Sequence, residues 1–429
     1  MTRPGLLACH ECDLLQFDVE VPEGGVLRCR RCHGELYRNR ANSLDRAFAL
    51  SLGAAVLLLI ANAYPVVGLS VSGTLVETTL IGSVRVLYKD GMWPIAALVF
   101  ATTILTPFFQ VASMLWMLVP LRLNRVPWRA AFVFRLARLV QPWGMTEVLI
   151  IGLLVALVKL AHIASVVVGV GLWSFGALML VLAAASAAFD SRALWARISV
   201  LRQPGSRPRG VRPSLQGWLT ASECGLAQCH DCGLLARASA HAHGLSCPRC
   251  GASVHLRKPD SLSRTWAFLF AAMVLYIPAN VLPVMYTSSL FGAEKDTIMS
   301  GVVYLWTSGS WVLALVVFIA SVAVPMLKIF AIAFLSISTQ LQSRWNPEQR
   351  TRIYRVVELV GRWSMLDIYV ITMLVALVQF KALATIQAGP AAIAFGAVVV
   401  LTMFAAMSFD SRLIWDAARQ AHDGTRKTS

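Results

Sequence analysis

Apolar residues in this chain run in long blocks. "RAFALSLGAAVLLLIANAYPVV" and "WPIAALVFATTILTPFFQVASMLWMLVP" each continue for 18 residues or more with almost no charge. A helix rises ~1.5 Å per residue, so about 20 such residues cross ~30 Å of hydrocarbon. The blocks predict spans at 46–66, 93–119, 144–164 and 171–189, then at 264–285, 310–337, 364–382 and 391–409. The expected fold class is an all-α polytopic membrane protein.

The pattern also repeats. At an offset of 218 to 220 residues, "CHEC" (9–12) meets "CHDC" (229–232), and "CRRC" (29–32) meets "CPRC" (247–250). "SLDR" meets "SLSR", "ANAYPV" meets "ANVLPV", "WGMTE" meets "WSMLD", and "FDSRALW" meets "FDSRLIW". Self-similarity at one fixed offset is the mark of a duplicated unit. Each unit reads as a cysteine module followed by four spans, so the two halves are parallel repeats. The expected domains are a first ribbon at 1–40, a membrane module at 41–199 and a basic linker at 200–222. A second ribbon at 223–258, a membrane module at 259–416 and a tail at 417–429 follow.

Composition sharpens this: 57% of residues are hydrophobic and 14% charged, far from a soluble domain. The net charge of +16 suggests nucleic acid only until its distribution is read. Loop 120–142 holds Arg122, Arg125, Arg129, Arg135 and Arg138 without an acid. Loop 339–362 holds five arginines against two glutamates, and the connector "RQPGSRPRGVRP" is basic. The opposite loops, 66–92 and 287–309, carry almost no net charge. By the positive-inside rule both termini and both cysteine modules are expected in the cytoplasm, and nucleic-acid binding is set aside. No apolar core or cleavage site precedes the first cysteines, so the N-terminus is expected to stay in the cytosol, where thiols are kept reduced.

Eight of the nine cysteines form two sets of C-x2-C…C-x2-C, with 16 and 14 residues between the pairs. Two such knuckles present four thiolates tetrahedrally to one Zn²⁺, a closed structural site. The predicted ligands are Cys9, Cys12, Cys29 and Cys32, then Cys229, Cys232, Cys247 and Cys250, for two structural Zn²⁺ in all. Gly34, Gly233 and Gly251 sit at the knuckle turns. His10 and His230 find no ligand position in a four-cysteine set, and Cys224 reads as a spare thiol. A closed site holds a small domain together and does no chemistry. No Ser/His/Asp set, open metal site or G-x-x-x-x-G-K-[ST] loop is present, so the chain reads as neither an enzyme nor an ATPase.

Intramembrane polar residues are the default candidates for function. Gln110 aligns with Lys328, and Lys159 with Gln379, so each half fills one position with lysine and the other with glutamine. Glu147 and Asp367 supply an acid in both halves. These six are the candidate transport and coupling residues, set against a plain reading in which Glu147, Asp367 and Lys328 snorkel or pair at the interface. Lys159, deeper in an apolar span, is expected to face a polar cavity. Asn62 and Asn280 are expected to satisfy backbone groups near Pro65 and Pro283, and Trp93 and Trp311 to lie in an interfacial belt. The pairs Asp190/Arg192 and Asp410/Arg412 either dock a ribbon onto the bundle or anchor a helix end.

A duplicated "CHxC…CxxC", "ANxxPV", "WxM" with a following acid, "LVALV" and "FDSR", in that order from about residue 9 to 416, resembles the paraquat-inducible protein A family. The resemblance implies a zinc-ribbon protein of the Gram-negative inner membrane. It also implies work with a periplasm-spanning MCE-domain tunnel protein to move phospholipid between inner and outer membranes and support envelope integrity. The difference between Gln379 and Lys159 argues against two chemically equivalent halves. Two other classes stay open on the residues alone: a small-molecule/proton efflux carrier, and a non-transporting scaffold whose ribbons sense metal or redox state.

Overall fold

A computed structural model describes residues 5–19, 21–71, 74–89, 91–141, 144, 165–202, 219–237, 246–289, 292–307, 309, 311–361, 379–380 and 384–416. Among them six helices are long and apolar enough to cross a membrane. Ser43–Ala63, Trp93–Arg122 and Val170–Ala188 lie in the first half, and Ser261–Val281, Ala314–Gln340 and Pro390–Ser408 in the second. They fall on the first, second and fourth predicted span of each half. The third spans, 144–164 and 364–382, lie outside the described residues apart from Gly144, Gln379 and Phe380.

In each half the first and fourth spans pack along their length. The sequence permits this through a stripe of small residues seven apart: Ala47, Ala54 and Ala61 are fully buried on the first span, and Thr265, Ala272 and Ala279 repeat it. Side chains this small let two backbones approach closely, which is how helices associate where lipid removes the hydrophobic drive. The second spans both widen into a single π-turn, at Ala101–Leu105 and Ile319–Ala323. Pro107 and Pro325 follow directly. A proline lacks an N–H and crowds the carbonyl four residues back, and the wider turn relieves that clash. Thr102, Thr103 and Ser321, buried in these turns, bond carbonyls of the preceding turn.

At the end of the bundle away from the cysteines, strands replace the expected loops. Val67–Val71 pairs with Thr74–Thr78 and with Ser165–Val168. Met285–Ser289 pairs with Gly292–Asp296 and Ala384–Ala388, and Gln379–Phe380 adds an edge. The fold is therefore mostly helical with a three-stranded and a four-stranded antiparallel sheet, a correction to the all-α expectation. These strands are short and abut spans, so their apolar residues read as span continuations or loops. Short helices, Leu80–Lys89 and Ile298–Thr307, complete regions 66–92 and 287–309.

The "PV" of the repeated motif joins each sheet to its fourth span. Gly169 N–H donates to Val66 O at 3.1 Å and Gly389 N–H to Val284 O at 2.6 Å. A Cβ at Gly169 would meet Pro65 O at 2.1 Å, and one at Gly389 would meet Pro283 O at 2.2 Å. Only glycine allows that approach. Asn62 and Asn280 each bond the carbonyl four residues back, Leu58 O and Tyr276 O, and not the carbonyl that Pro65 or Pro283 leaves without a donor.

At the other end each cysteine set sits on short hairpins, Leu6–Ala8 with Leu15–Phe17, Val26–Arg28 with Glu35–Arg38, and Leu226–Gln228 with Leu235–Arg237. The ribbons touch each other: Leu14 bridges Thr220, and Ala221 N–H donates to Asp13 O at 2.8 Å. Residues 219–222, at the end of the expected linker, are thus drawn into the ribbon pair.

Candidate functional site

Each C-x2-C closes as a tight turn. Cys9 N–H donates to Leu14 O, Cys29 N–H to Gly34 O, Cys229 N–H to Leu234 O and Cys247 N–H to Ala252 O, all between 2.7 and 2.9 Å. The residue that follows each pair is left-handed: Asp13, His33, Gly233 and Gly251. Two of the four are therefore not glycine. Gly34, expected at such a turn, serves a different need, since a Cβ there would sit 2.7 Å from a Glu11 carboxylate oxygen.

The turns bring the eight sulfurs into two buried groups, each with its atoms within 4.8 Å of one another. Cys9–Cys32, Cys12–Cys29, Cys229–Cys250 and Cys232–Cys247 lie 3.4 to 3.5 Å apart. Those separations are too long for disulfides, which need ~2.05 Å, and all eight thiols are free. They are close to the edge of a tetrahedron drawn by metal–sulfur bonds of ~2.3 Å. Contact with neighbouring sulfurs, and then burial, pushes Cys12 and Cys232 well above the usual cysteine range. A set held this way needs a cation before four thiolates can coexist. The residues fit a thiolate-seeking metal with no open position, and His10 and His230 stay outside both groups.

The ribbons are exchanged between the halves. The first cysteine group packs with Leu335, Phe409, Ile414 and Trp415 of the second half. The second packs with Met117, Leu121, Phe134 and Trp195 of the first. Repeat-equivalent arginines, 220 positions apart, pin each ribbon. Arg135 donates to Gly251 O at 3.2 Å, and Arg355 donates to Cys32 O at 2.9 Å and to Glu11 at 2.8 Å. The Glu11 contact holds Arg355 above its usual range. Arg31 lies over the Trp415 ring at 4.4 Å. Of the "FDSR" pairs, Arg192 reaches Asp18 of the first ribbon at 3.4 Å, and Asp410 takes both Arg412 and the Lys258 N–H. Both pairs tie a ribbon to a helix end. Sequence reasoning took Arg135 and Arg355 as loop charges and passed over Glu11; the signal for a clamp was a repeated arginine at one offset.

Between the ribbons and the bundle lies a polar vestibule of about 510 Å³, reaching Cys9, Glu11, Cys229, Lys258 and Glu358. It shares Arg138, His230, Lys258 and Glu358 with a deeper cavity of about 370 Å³ whose lining includes Lys328. Burial holds the Lys258 ammonium below its usual range, with Asp410 opposing, and lowers His230 likewise. Lys328 is 1% exposed and donates to Thr402 Oγ1 at 2.9 Å. Its repeat partner Gln110 donates instead to Ser186 Oγ at 2.8 Å, beside a smaller cavity of about 110 Å³. Lys159, Glu147 and Asp367 lie outside the described residues, and of Gln379 only the backbone, in an edge strand, is described. Lys328 and Gln110 occupy equivalent places in opposite halves. Trp93 and Trp311, 65% and 59% exposed, stand at the sheet end of the second spans.

The family model described as paraquat-inducible protein A matches residues 44–199 and 262–419, once in each half. The chain is 34% identical to "Intermembrane transport protein PqiA" of Escherichia coli over 413 residues, 96% of this chain and 95% of the relative. It is 30% identical to "Lipophilic envelope-spanning tunnel protein A" of the same organism, across 95% of this chain and 91% of that protein. It is 27% identical to "Probable intermembrane transport protein" of Haemophilus influenzae, across 96% and 95%. No solved structure matches the chain.

Proposed function

Because the chain belongs to the paraquat-inducible protein A family, we propose that it is the inner-membrane subunit of an intermembrane lipid-transport system. It passes phospholipid between the inner membrane and a periplasmic MCE-type tunnel. The observation that carries this reading is a full-length match to an intermembrane transport protein by a chain with six candidate spans. The ribbons, both termini and the arginine-rich loops face the cytoplasm, and the two sheets face the periplasm. Each cysteine group holds one structural Zn²⁺, which supplies a rigid knuckle pair and no reactive position.

Lys159, Lys328, Glu147 and Asp367 set the charge inside the bundle, with Gln110 and Gln379 as their neutral counterparts, and couple lipid movement to the proton gradient. Lys328 supports this most directly, as a buried ammonium at the floor of a cavity that joins the inter-ribbon vestibule. The unequal cavities around Lys328 and Gln110 support a mechanism in which the halves act differently. The sheets dock the tunnel, since among the described residues Thr74–Thr78 and Gly292–Asp296 are their edge strands. Photo-crosslinkers at Leu75 and Phe291 in living cells should capture an MCE-domain protein. Capture solely from the ribbons would favour the scaffold reading, and autonomous small-molecule flux in liposomes the efflux reading.

A further inference from the structure

The cavity above Lys328 has a charge inventory of its own. Three acids around the vestibule are already held by arginines: Glu11 by Arg355, Asp13 by Arg257 and Asp410 by Arg412. Among the described residues, the cations Arg138, Lys258 and Lys328 and the acids Glu358 and Asp231 face the deeper cavity. A lysine ammonium has three N–H donors. Lys328 has Thr402 as its hydrogen-bond partner among the described residues, and Lys258 Nζ bonds two helix-end carbonyls, Met407 O and Phe409 O. Among the described residues, this leaves two donors of Lys328 and one of Lys258 without a partner.

The position is equally specific. Met407 lies 17 residues from Pro390 at the start of the fourth span, and Thr402, which takes the hydrogen bond of Lys328, lies 12 residues from it. At ~1.5 Å per residue these lie ~26 Å and ~18 Å from the sheet-side boundary, the first close to the far face of a ~30 Å hydrocarbon core. The mouth at Met407 and Lys258 is thus at the depth of headgroups in the ribbon-side leaflet, with Lys328 beneath it. Val357, Met403 and Met407 form an apolar wall beside the charged mouth. Methionine adapts to flexible apolar ligands. In the first half the Gln110–Ser186 hydrogen bond occupies the equivalent place.

We propose that this cavity is a headgroup site for an amine-bearing, zwitterionic phospholipid of the ribbon-side leaflet. Lys328, Lys258 and Arg138 face its phosphate, Glu358 accepts from its ammonium, and the methionine wall takes the start of its acyl chains. The proposal rests on the lipid-transport reading and names the lipid class and its loading point. A phosphate beside a protonated amine also occurs in soluble phosphoethanolamine, so the test separates the two.

The full-length chain is assembled into nanodiscs of equal parts phosphatidylethanolamine, phosphatidylglycerol and phosphatidylcholine, then released for native mass spectrometry. Wild type should retain phosphatidylethanolamine about tenfold over either other lipid, since choline has no N–H for Glu358 and glycerol no cation. Glu358→Gln should erase the preference while phosphatidylglycerol is still retained. Lys328→Gln, which copies the first half, should lose retention of all three. Equal retention by wild type, or an intact preference in Glu358→Gln, overturns the proposal. So does complete displacement of lipid by millimolar phosphoethanolamine. Equal retention by a protein that still delivers lipid to a tunnel partner would remove this site and leave the transport reading standing. Selective retention without delivery would do the reverse.

Discussion

At the scale of single residues, two kinds of contact decide the ribbon end, and they differ in how far each was legible. The cysteine groups were fully readable, because metal-ligand spacing is a local property of sequence. The arginine clamps were not, because Arg355 and Glu11 are separated by 344 positions and meet through the fold alone. Gly34 shows the same limit: its neighbours suggest a turn glycine, while the structure uses its missing side chain to admit Glu11. The Glu11 and Arg355 side chains are 11% and 32% exposed. Glu11→Gln therefore leaves a mostly buried guanidinium with half its partner. Allowing for solvent screening at Arg355, the cost should be about 1–2 kcal/mol. Differential scanning fluorimetry should show a lowered unfolding midpoint. Glu35→Gln, in an exposed and solvent-screened pair with Arg38, should leave that midpoint nearly unchanged.

At the scale of elements, the six described spans follow from apolar run length, since that is set by bilayer thickness. The sheets escaped sequence reading for a physical reason. Ser165–Val168 directly precedes a span, so its valines look like more membrane, and its partner strand lies about a hundred residues earlier. The "ANxxPV" motif was read for its asparagine and proline. Its main structural partner is the glycine that opens the fourth span, far away in sequence. Gly389→Ala would push a methyl group into Pro283 O and break the join between the sheet and the span. A loss of about 1–3 kcal/mol is expected, as for other overpacked sites. Gly53→Ala, with no atom within 4 Å of the new Cβ, should be neutral or slightly stabilising. Equal unfolding midpoints for the two variants would contradict the close approach at Gly389.

At the scale of the whole molecule, the exchange of ribbons between halves makes the ribbon end one unit. A ribbon followed directly by its own spans gives no sequence sign that it packs on the other half. The exchange predicts crossed effects. Cys9→Ser should raise hydrogen exchange first in 347–361 and 409–416 of the second half, and Cys229→Ser first in 117–134 of the first. Loosening confined to the same half as the mutated ribbon would rule the exchange out. Metal analysis of purified protein should find two Zn²⁺ per chain, falling to one in either variant.

The central claim is that lipid passes through this chain into a periplasmic tunnel. The most direct measurement loads proteoliposomes holding the purified chain with a fluorescent phospholipid and adds the soluble MCE-domain partner. Lipid appearing on the partner is then followed, with and without a proton gradient. Wild type should transfer lipid at a rate well above protein-free liposomes, rising with the gradient, and Lys328→Met should fall at least tenfold while remaining folded and zinc-loaded. Transfer by wild type no faster than from empty liposomes, with the partner bound and both zinc sites filled, would contradict it.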